Sequence, residues 1–350
     1  MAVGDTAILG FGSYVAVGRE TTLGTYNTCT AGLDFISSTM KTQKDLKILE
    51  QVERSRTYSK ALSLGKSVGG ELSTYWRNDQ TALMYLLQNA FGGTVTNSTV
   101  TGETVGGASL QHIFSAGDMD QSFASLCLNV RKGHTSTGKV FQYSGVRVNE
   151  MTMRAELDEP LMFSFNLVGM DSTQNTNDVS AVFTATSEGV LSFANGRLSI
   201  EGTFASLTSS SFWHVQSFEF KLNNNLKTGN EARRIGSDIL TVLPPGIQSY
   251  ELTCNMRFNT TTAFDAMVAG TTEYAGQLEF LGATYTGSVA RRRVTVEFQK
   301  LMIKDAGDPE VSGPDGVLTS QVTFAVLRDE SATGYAVRAI VVDQSSFTSN

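Results

Sequence analysis

Apolar side chains fall at alternate positions in short runs along most of the chain. In Met162–Val168 the residues Phe163, Phe165 and Leu167 share one side, and in Gln321–Leu327 the residues Val322, Phe324 and Val326 do. A period of two matches the pleat of a strand with one buried face, and Gly, Asn and Asp break the runs as turn residues do. The predicted fold class is all-β. Two short segments carry a helical period instead. The first opens at Asn78-Asp79, places Ala82, Leu83, Leu86, Leu87 and Ala90 on one face and stops at Gly92-Gly93. The second opens at Asn259, carries Ala263, Phe264, Met267 and Val268, and stops at Gly270. A polar start, apolar positions at i, i+1, i+4 and i+5 and a closing Gly predict one short helix in each place.

The two helices sit in matching surroundings. Glu71-Leu-Ser-Thr-Tyr-Trp-Arg77 leads into the first, and Glu251-Leu-Thr-Cys-Asn-Met-Arg257 leads into the second. Met40-Lys41 and Phe220-Lys221 keep the same spacing, each ahead of a segment rich in Lys, Arg and Glu, and Gly12–Gly18 parallels Gly196–Gly202. Downstream, Leu128 pairs with Leu278, Val146 and Val148 with Val296 and Phe298, and Met151 and Met153 with Leu301 and Ile303. In both copies the apolar side changes parity in mid-strand, so a bulge is expected between Val148 and Met151 and between Phe298 and Leu301. Five blocks in one order predict a tandem duplication. The first unit covers about 1–172, a connector 173–189, and the second unit 190–350. The first unit holds an inserted segment at about 93–122 with an added strand near Leu110–Phe114. The second has a longer final turn, Asp305–Gly316. The tails Met1–Ile8 and Val337–Asn350 read as arms that order on assembly.

Composition narrows the function. The 350 residues are 41% hydrophobic, and 27 Lys+Arg against 34 Asp+Glu give a net charge of −7, which argues against a protein that grips nucleic-acid phosphates. No apolar run approaches the roughly 18–20 residues of a helical membrane span. Met1-Ala-Val-Gly-Asp-Thr lacks the basic head and apolar middle of a signal peptide. Cys29, Cys127 and Cys254 fit neither a disulfide framework nor a metal clip, which points to synthesis in a reduced interior. His112, His134 and His214 have no ligand partner at helical spacing, and no nucleophile elbow, phosphate loop or dinucleotide fingerprint occurs. Asp158-Glu159-Pro160 reads as a hairpin turn, not an acid/base couple. No catalytic, cofactor or metal site is expected, and the protein is read as no enzyme.

The repeated order (strands, a long charged loop, two strands, one helix, a closing long hairpin) resembles the tail-tube fold of long-tailed bacteriophages, a β-sandwich with one flanking helix. The N-terminal stretch is similar to the two-domain members of that family. It runs Gly12-Ser-Tyr-Val-Ala-Val-Gly-Arg-Glu-Thr-Thr-Leu-Gly-Thr25, then Asp34-Phe-Ile-Ser-Ser, Val52-Glu-Arg-Ser-Arg56 and Gly69-Gly-Glu-Leu72. The resemblance spans essentially the whole chain and implies a structural virion protein made in the bacterial cytoplasm. Its subunits would form stacked rings, each unit lending a four-stranded sheet to a barrel around a lumen. A duplicated chain would close a pseudo-sixfold ring as a trimer. Implied partners are further copies of the chain, the tape-measure protein and genomic DNA in the lumen, and tail terminator and distal tail proteins at the ends.

On that reading the loops supply contacts between rings. Lys47, Glu50, Glu53, Arg54 and Arg56 in Asp45–Lys60, and Lys227, Glu231, Arg233 and Arg234 in Asn223–Gly236, are the candidates. A solvated hairpin tip is the plainer alternative. The polar sides of the barrel strands, Glu71, Ser73, Glu150, Ser164, Asn166, Glu251, Thr253 and Thr323, are the lumen candidates, and an acidic bore would repel DNA. Arg291-Arg292-Arg293 reads as a cluster with an inter-subunit or outer-surface role, pairing with carboxylates, in preference to gripping DNA in the lumen. Trp76 and Trp213 read as core or interface anchors. Two other readings stand beside the tube: another structural β-protein of a virion or injection device, such as a baseplate hub or capsid decoration, and a carbohydrate-binding or glycan-cleaving β-domain.

Overall fold

The alternating runs form antiparallel strands. A computed structural model describes the chain except residues 1–9, 51–56, 101–109, 118–124, 134–137, 176–180, 184–189, 209–211, 259–260, 287, 308, 310–317, 331–333, 345–346 and 348–350. Its first half contains β1 (Tyr14–Arg19), β2 (Ala31–Leu33), β3 (Ser37–Ser38), β4 (Lys41–Ile48), β5 (Ala61–Tyr75), α1 (Thr81–Phe91), β6 (Gly92–Thr99), β7 (Leu110–Ala116), β8 (Leu126–Lys132), β9 (Lys139–Glu156), β10 (Met162–Gly169) and β11 (Asp171–Asn175). The second half contains β12 (Gly196–Glu201), β13 (Phe212–Trp213), β14 (Val215–Asn223), β15 (Ser249–Arg257), α2 (Thr262–Ala269), β16 (Glu273–Thr284), β17 (Arg291–Ala306), β18 (Thr319–Leu327) and β19 (Val337–Asp343).

One sheet crosses the whole molecule in the order β4-β5-β10-β9-β14-β15-β18-β17, eight strands in all. Only the C-terminal parts of β9 and β17 take part. Their N-terminal parts belong to a second layer, β2-β1-β8-β9-β11 in one half and β13-β12-β16-β17-β19-β7-β6 in the other. A strand that changes sheets must bend, and a bulge supplies the bend. The β9–β10 register skips Asn149, and the β16–β17 register shifts between Phe298 and Leu301, the two places where the apolar parity changes.

Read along the pairings, the first half runs β4-β5-β10-β9-β8-β1 and the second β14-β15-β18-β17-β16-β12, with a helix after β5 and after β15. The sequence spacing sets Met40 against Phe220, but the ladders place it differently. Met40 lies over Gly70, and the residue opposite Tyr250, 180 positions after Gly70, is Leu222. The two-residue offset keeps the same face inward, so the apolar pattern alone could not reveal it.

The inner sides of the layers share one core, which includes Trp76, Phe163, Phe165, Phe220, Phe298 and Phe324. Ala82, Leu83, Leu86, Leu87 and Ala90 of α1 are all buried in it, and Gly92 closes that helix in the left-handed conformation at φ 70°. Asp79 does not cap α1. It too adopts positive φ, and its carboxylate accepts hydrogen bonds from the Tyr285 hydroxyl and the Gln344 N–H, so the helix starts after Gln80 without a side-chain cap. Helix α2 ends on Gly270 at φ 65°, yet none of its residues is buried. Asn259, its expected start, lies outside the described residues.

The inserted segment explains the difference between the helices. β6 and β7 form a hairpin beside α1, and β7 pairs with β19 from the far end of the chain. His112 of β7 sits between Asn97 (2.8 Å) and Asp343 of β19 (2.9 Å), and Phe347 packs on Phe114 and Tyr85. Residues 337–343 are therefore not a loose arm. β19 is held on both edges, by β17 and β7, and Val337 and Val341 are fully buried. The arm at residues 1–8 falls outside the described residues.

Candidate functional site

Strand parity places the polar residues of the eight-stranded sheet on one face, opposite the core. All eight lumen candidates are on it. Ser73 and Ser164 face each other across β5 and β10 with their hydroxyls 2.9 Å apart, and Asn166 stands opposite both Glu71 and Glu150. Thr253 and Thr323 meet across β15 and β18 at 3.4 Å, and Glu251 accepts a hydrogen bond from Lys304 at 2.7 Å. The two halves are joined in this sheet by β9 and β14, whose ladder runs from Glu150↔Asn223 to Glu156↔Ser217. That joint adds residues the sequence reading missed: Thr152, Arg154, Glu219, Lys221 and Asn223. The inward alternation of Phe218, Phe220 and Leu222 carried the signal, but no local pattern says that β14 lies beside β9.

The electrostatics of this face differ from the expected acidic bore. Glu71, Glu150, Glu219 and Glu251 are interleaved with Arg154, Lys221, Lys300 and Lys304, which stand in the same sheet face by register. Lys221 lies 2.6 Å from Glu219, and that hydrogen bond raises its pKa above the ordinary lysine value. The bond from Lys304 to Glu251 does the same for Lys304. The face is polar and self-paired, with no uninterrupted row of either sign.

Among the described residues neither margin of the sheet has a paired strand beyond it, although at one of them the Ala306 N–H donates to the Met267 sulfur of α2 at 3.1 Å. Among the described residues β3 and β4 pair only with β5, and residues 303–306 of β17 pair only with β18. The Thr39 N–H is used inward, on the Glu71 carbonyl. Strand alternation then turns the Ser38 N–H toward the open side. The opposite margin ends beside α2, where a cavity of about 470 Å³ is lined by Trp213, Met256, Phe264 and Val322.

The two charged loops behave differently. Lys47 lies on the exposed β4–β5 hairpin opposite Leu62, and Glu50 follows it, while Glu53, Arg54 and Arg56 lie outside the described residues. This hairpin exposes Leu46, Ile48, Leu62 and Leu64 to solvent. The partner loop, which carries Lys227, Glu231, Arg233 and Arg234, folds back onto the first half of the chain. The bulge residue Asn149 receives the Asn224 N–H on its backbone oxygen (2.7 Å) and the Leu226 N–H on its side chain (2.9 Å). Arg147 donates to the Leu243 carbonyl at 2.6 Å, and Ala232, Leu240 and Leu243 bury with Met170 in a small second core. Arg233 presses on Gly65, leaving no room for a Cβ there, whereas Lys227, Glu231 and Arg234 stay exposed.

The arginine cluster is away from the polar face and occupied within the chain. Arg292 stacks over Tyr285 at 4.0 Å and approaches Asp79, Arg293 lies 3.9 Å from Glu279, and Arg291 donates to the Gly282 carbonyl. Among the described residues no group of three His, Cys, Asp or Glu is placed to hold a metal, and no helix is long and apolar enough to cross a membrane. A family model described as phage tail tube protein matches residues 10–326. No curated protein matches the chain.

Proposed function

The chain belongs to the phage tail tube protein family, a family of structural virion proteins, and from that premise we propose that it forms the wall of a tail tube by extending its eight-stranded sheet from chain to chain. The observation that carries this reading is the β9–β14 joint. Within one chain it already unites two four-stranded sheets, β4-β5-β10-β9 and β14-β15-β18-β17, into one surface. The same connection order on both sides of the joint supports a tandem duplication with units near 1–172 and 190–350. The margin at 303–306 then stands to the β3–β4 margin of the next copy as the C-terminal part of β9 stands to β14. Unpaired sheet margins are a liability in a monomer and are removed when a barrel closes.

Barrel geometry sets a lower bound on the number of chains. With strands about 4.8 Å apart and tilted about 40°, three chains give a backbone diameter of about 48 Å and a bore of about 38 Å once side chains are allowed for. Two chains leave about 22 Å, too tight for a hydrated duplex, so three chains are the smallest ring that passes one, which supports a trimer. The polar face lines the bore. Its lysines are engaged by carboxylates, so passing phosphates meet no row of available cations. Stacked rings carry the tape-measure protein and then DNA during ejection, and terminator and distal tail proteins close the ends. The exposed apolar and charged hairpin, with Lys47 and Glu50 and onward to Glu53, Arg54 and Arg56, contacts an adjacent ring. Lys227, Glu231, Arg233 and Arg234 belong to the equivalent loop, and its exposed members offer the charges that set register between rings.

Purified protein viewed by negative-stain microscopy tests the proposal. Wild type should form hollow tubes of stacked rings. Ser38→Pro removes an N–H on the open side of an edge strand, a place where Pro is tolerated, so this variant should melt with wild type and form no tubes. Normal tubes from a correctly folded Ser38→Pro protein would contradict the joint.

A further inference from the structure

Two of the three cysteines, 98 positions apart in sequence, meet in the second layer. Cys127 lies on β8 opposite Gly18 of β1. Cys29 lies two residues before β2, the other neighbour of β1, and its Cα lies over Gly18: a Cβ on Gly18 would be 2.9 Å from the Cys127 sulfur and 3.0 Å from the Cys29 Cα. The missing side chain of Gly18 is what lets the two thiols approach. Their sulfurs are 3.1 Å apart, both residues are fully buried, and the Cys127 thiol is also 3.1 Å from the Asn27 carbonyl. No metal explains the pair, since no third ligand completes a group among the described residues. Packing alone does not require it either, because Cys254, the remaining cysteine, is buried without a sulfur partner in the core beneath the polar face.

We propose that Cys29 and Cys127 are a disulfide-forming pair that closes when the protein meets a peroxide-class oxidant, covalently tying the segment before β2 to β8 across β1. The sulfurs, 3.1 Å apart, need to close by about 1 Å to reach the bonding distance of about 2.05 Å. Cys127 is the attacking sulfur. The Cys29 S–H donates to it and stabilises its thiolate, which lowers its pKa, while the same contact and burial push the Cys29 thiol up. The Cys127 thiolate attacks one oxygen of hydrogen peroxide, the O–O bond breaks, and hydroxide leaves and takes up the thiol proton as water. Cys29 then attacks the sulfur of the resulting sulfenic acid. The S–S bond forms, the S–O bond breaks, and the departing hydroxide and the Cys29 proton leave as a second water. Two thiols lose two electrons and peroxide gains them.

The consequence is local. Residues 20–30 carry no strand, and the pairing of β2 with β1 is only three residues long. A cross-link there would restrict the unfolded chain over a loop of nearly a hundred residues and stabilise the outer margin of this layer. The inference does not depend on tube formation, and its test uses the isolated full chain.

Reduced wild-type protein is treated with hydrogen peroxide, blocked with iodoacetamide, digested without reduction and mapped by mass spectrometry. The expected product joins the Cys29 and Cys127 peptides with loss of two hydrogens, Cys254 remains alkylatable after unfolding, and the melting temperature rises by several degrees and returns on reduction. Cys254→Ser should still form the cross-link, and Cys29→Ser should instead leave Cys127 as a sulfenic or sulfinic acid. Because wild-type mapping stands alone, poor folding of a variant does not blunt the test. Recovery of both Cys29 and Cys127 as separate peptides after complete oxidation, whether as free thiols or as sulfinic acids, would overturn the proposal.

Discussion

At the scale of single residues, the energetics concentrate where a polar group has been taken into the interior. Glu20 is the clearest case. It is buried at the end of β1, where its carboxylate accepts hydrogen bonds from the Ser125 hydroxyl and from the Gly145 and Gly24 N–H groups. Burial raises its pKa above the ordinary 4.5, and those bonds offset only part of the shift. The folded state therefore holds the proton more tightly than the unfolded chain does. The resulting stabilisation is complete below 4.5 and is lost as pH rises through the raised value. Urea unfolding of wild type and Glu20→Gln from about pH 4 to about pH 8 should show the difference moving against wild type as pH increases. A difference that stays flat would mean that Glu20 titrates alike in both states. Nothing local hints at this role: a single Glu after a strand looks like a solvated turn residue, and two of its partners, Ser125 and Gly145, lie more than a hundred positions away.

At the scale of elements, the two helices separate what is local from what is not. Their apolar spacing and C-terminal ends were legible because helical spacing and a closing Gly are local signals, and both Gly92 and Gly270 do adopt the left-handed conformation. The expected cap of α1 was not, because Asp79 is engaged by Tyr285 and Gln344 instead. Their burial was not legible. α1 is covered by the β6–β7 hairpin and by Phe347, which packs on Tyr85, whereas α2 lies over a cavity with Val268 67% exposed. Leu86→Ala should cost about 2–5 kcal/mol by chemical denaturation, and Val268→Ala should stay within about 0.5 kcal/mol. Equal costs would show that the helices are packed alike. Both bulges were likewise readable from a parity change, because a strand cannot move its apolar side without one. The two-residue offset of Met40 against Leu222 was invisible, since an even shift preserves parity. The same limit hid the β9–β14 neighbour relation: alternation fixes which side of a strand faces inward but not which strand lies beside it. Thus the candidate face could be assembled from Glu71, Ser73, Ser164 and Thr253, but not its paired charges Lys221 and Lys304.

At the scale of the whole molecule, the architecture is a sheet with a polar side, an apolar side and, among the described residues, two margins without a partner strand. The second layer and its helices cover the apolar side, and the β7–β19 pairing ties the C-terminal strand to the hairpin inserted in the first half. Among the described residues nothing comparable covers the polar side, and the margins at β3–β4 and at 303–306 have no paired strand beyond them. A chain built to stay monomeric would blunt such margins; a chain built to add copies of itself would keep them. The exposed β4–β5 hairpin, with Leu46 68% exposed, adds an apolar surface at one end of the same sheet. A near-atomic cryo-electron-microscopy reconstruction of assembled wild-type protein is the most direct measurement. The account predicts a continuous antiparallel ladder from 303–306 of one chain to the β3–β4 margin of the next, three chains to a ring, with Glu71, Glu150, Glu251 and Thr323 turned to the bore. Margins separated by intervening loops, or those residues on the outer wall, would contradict it.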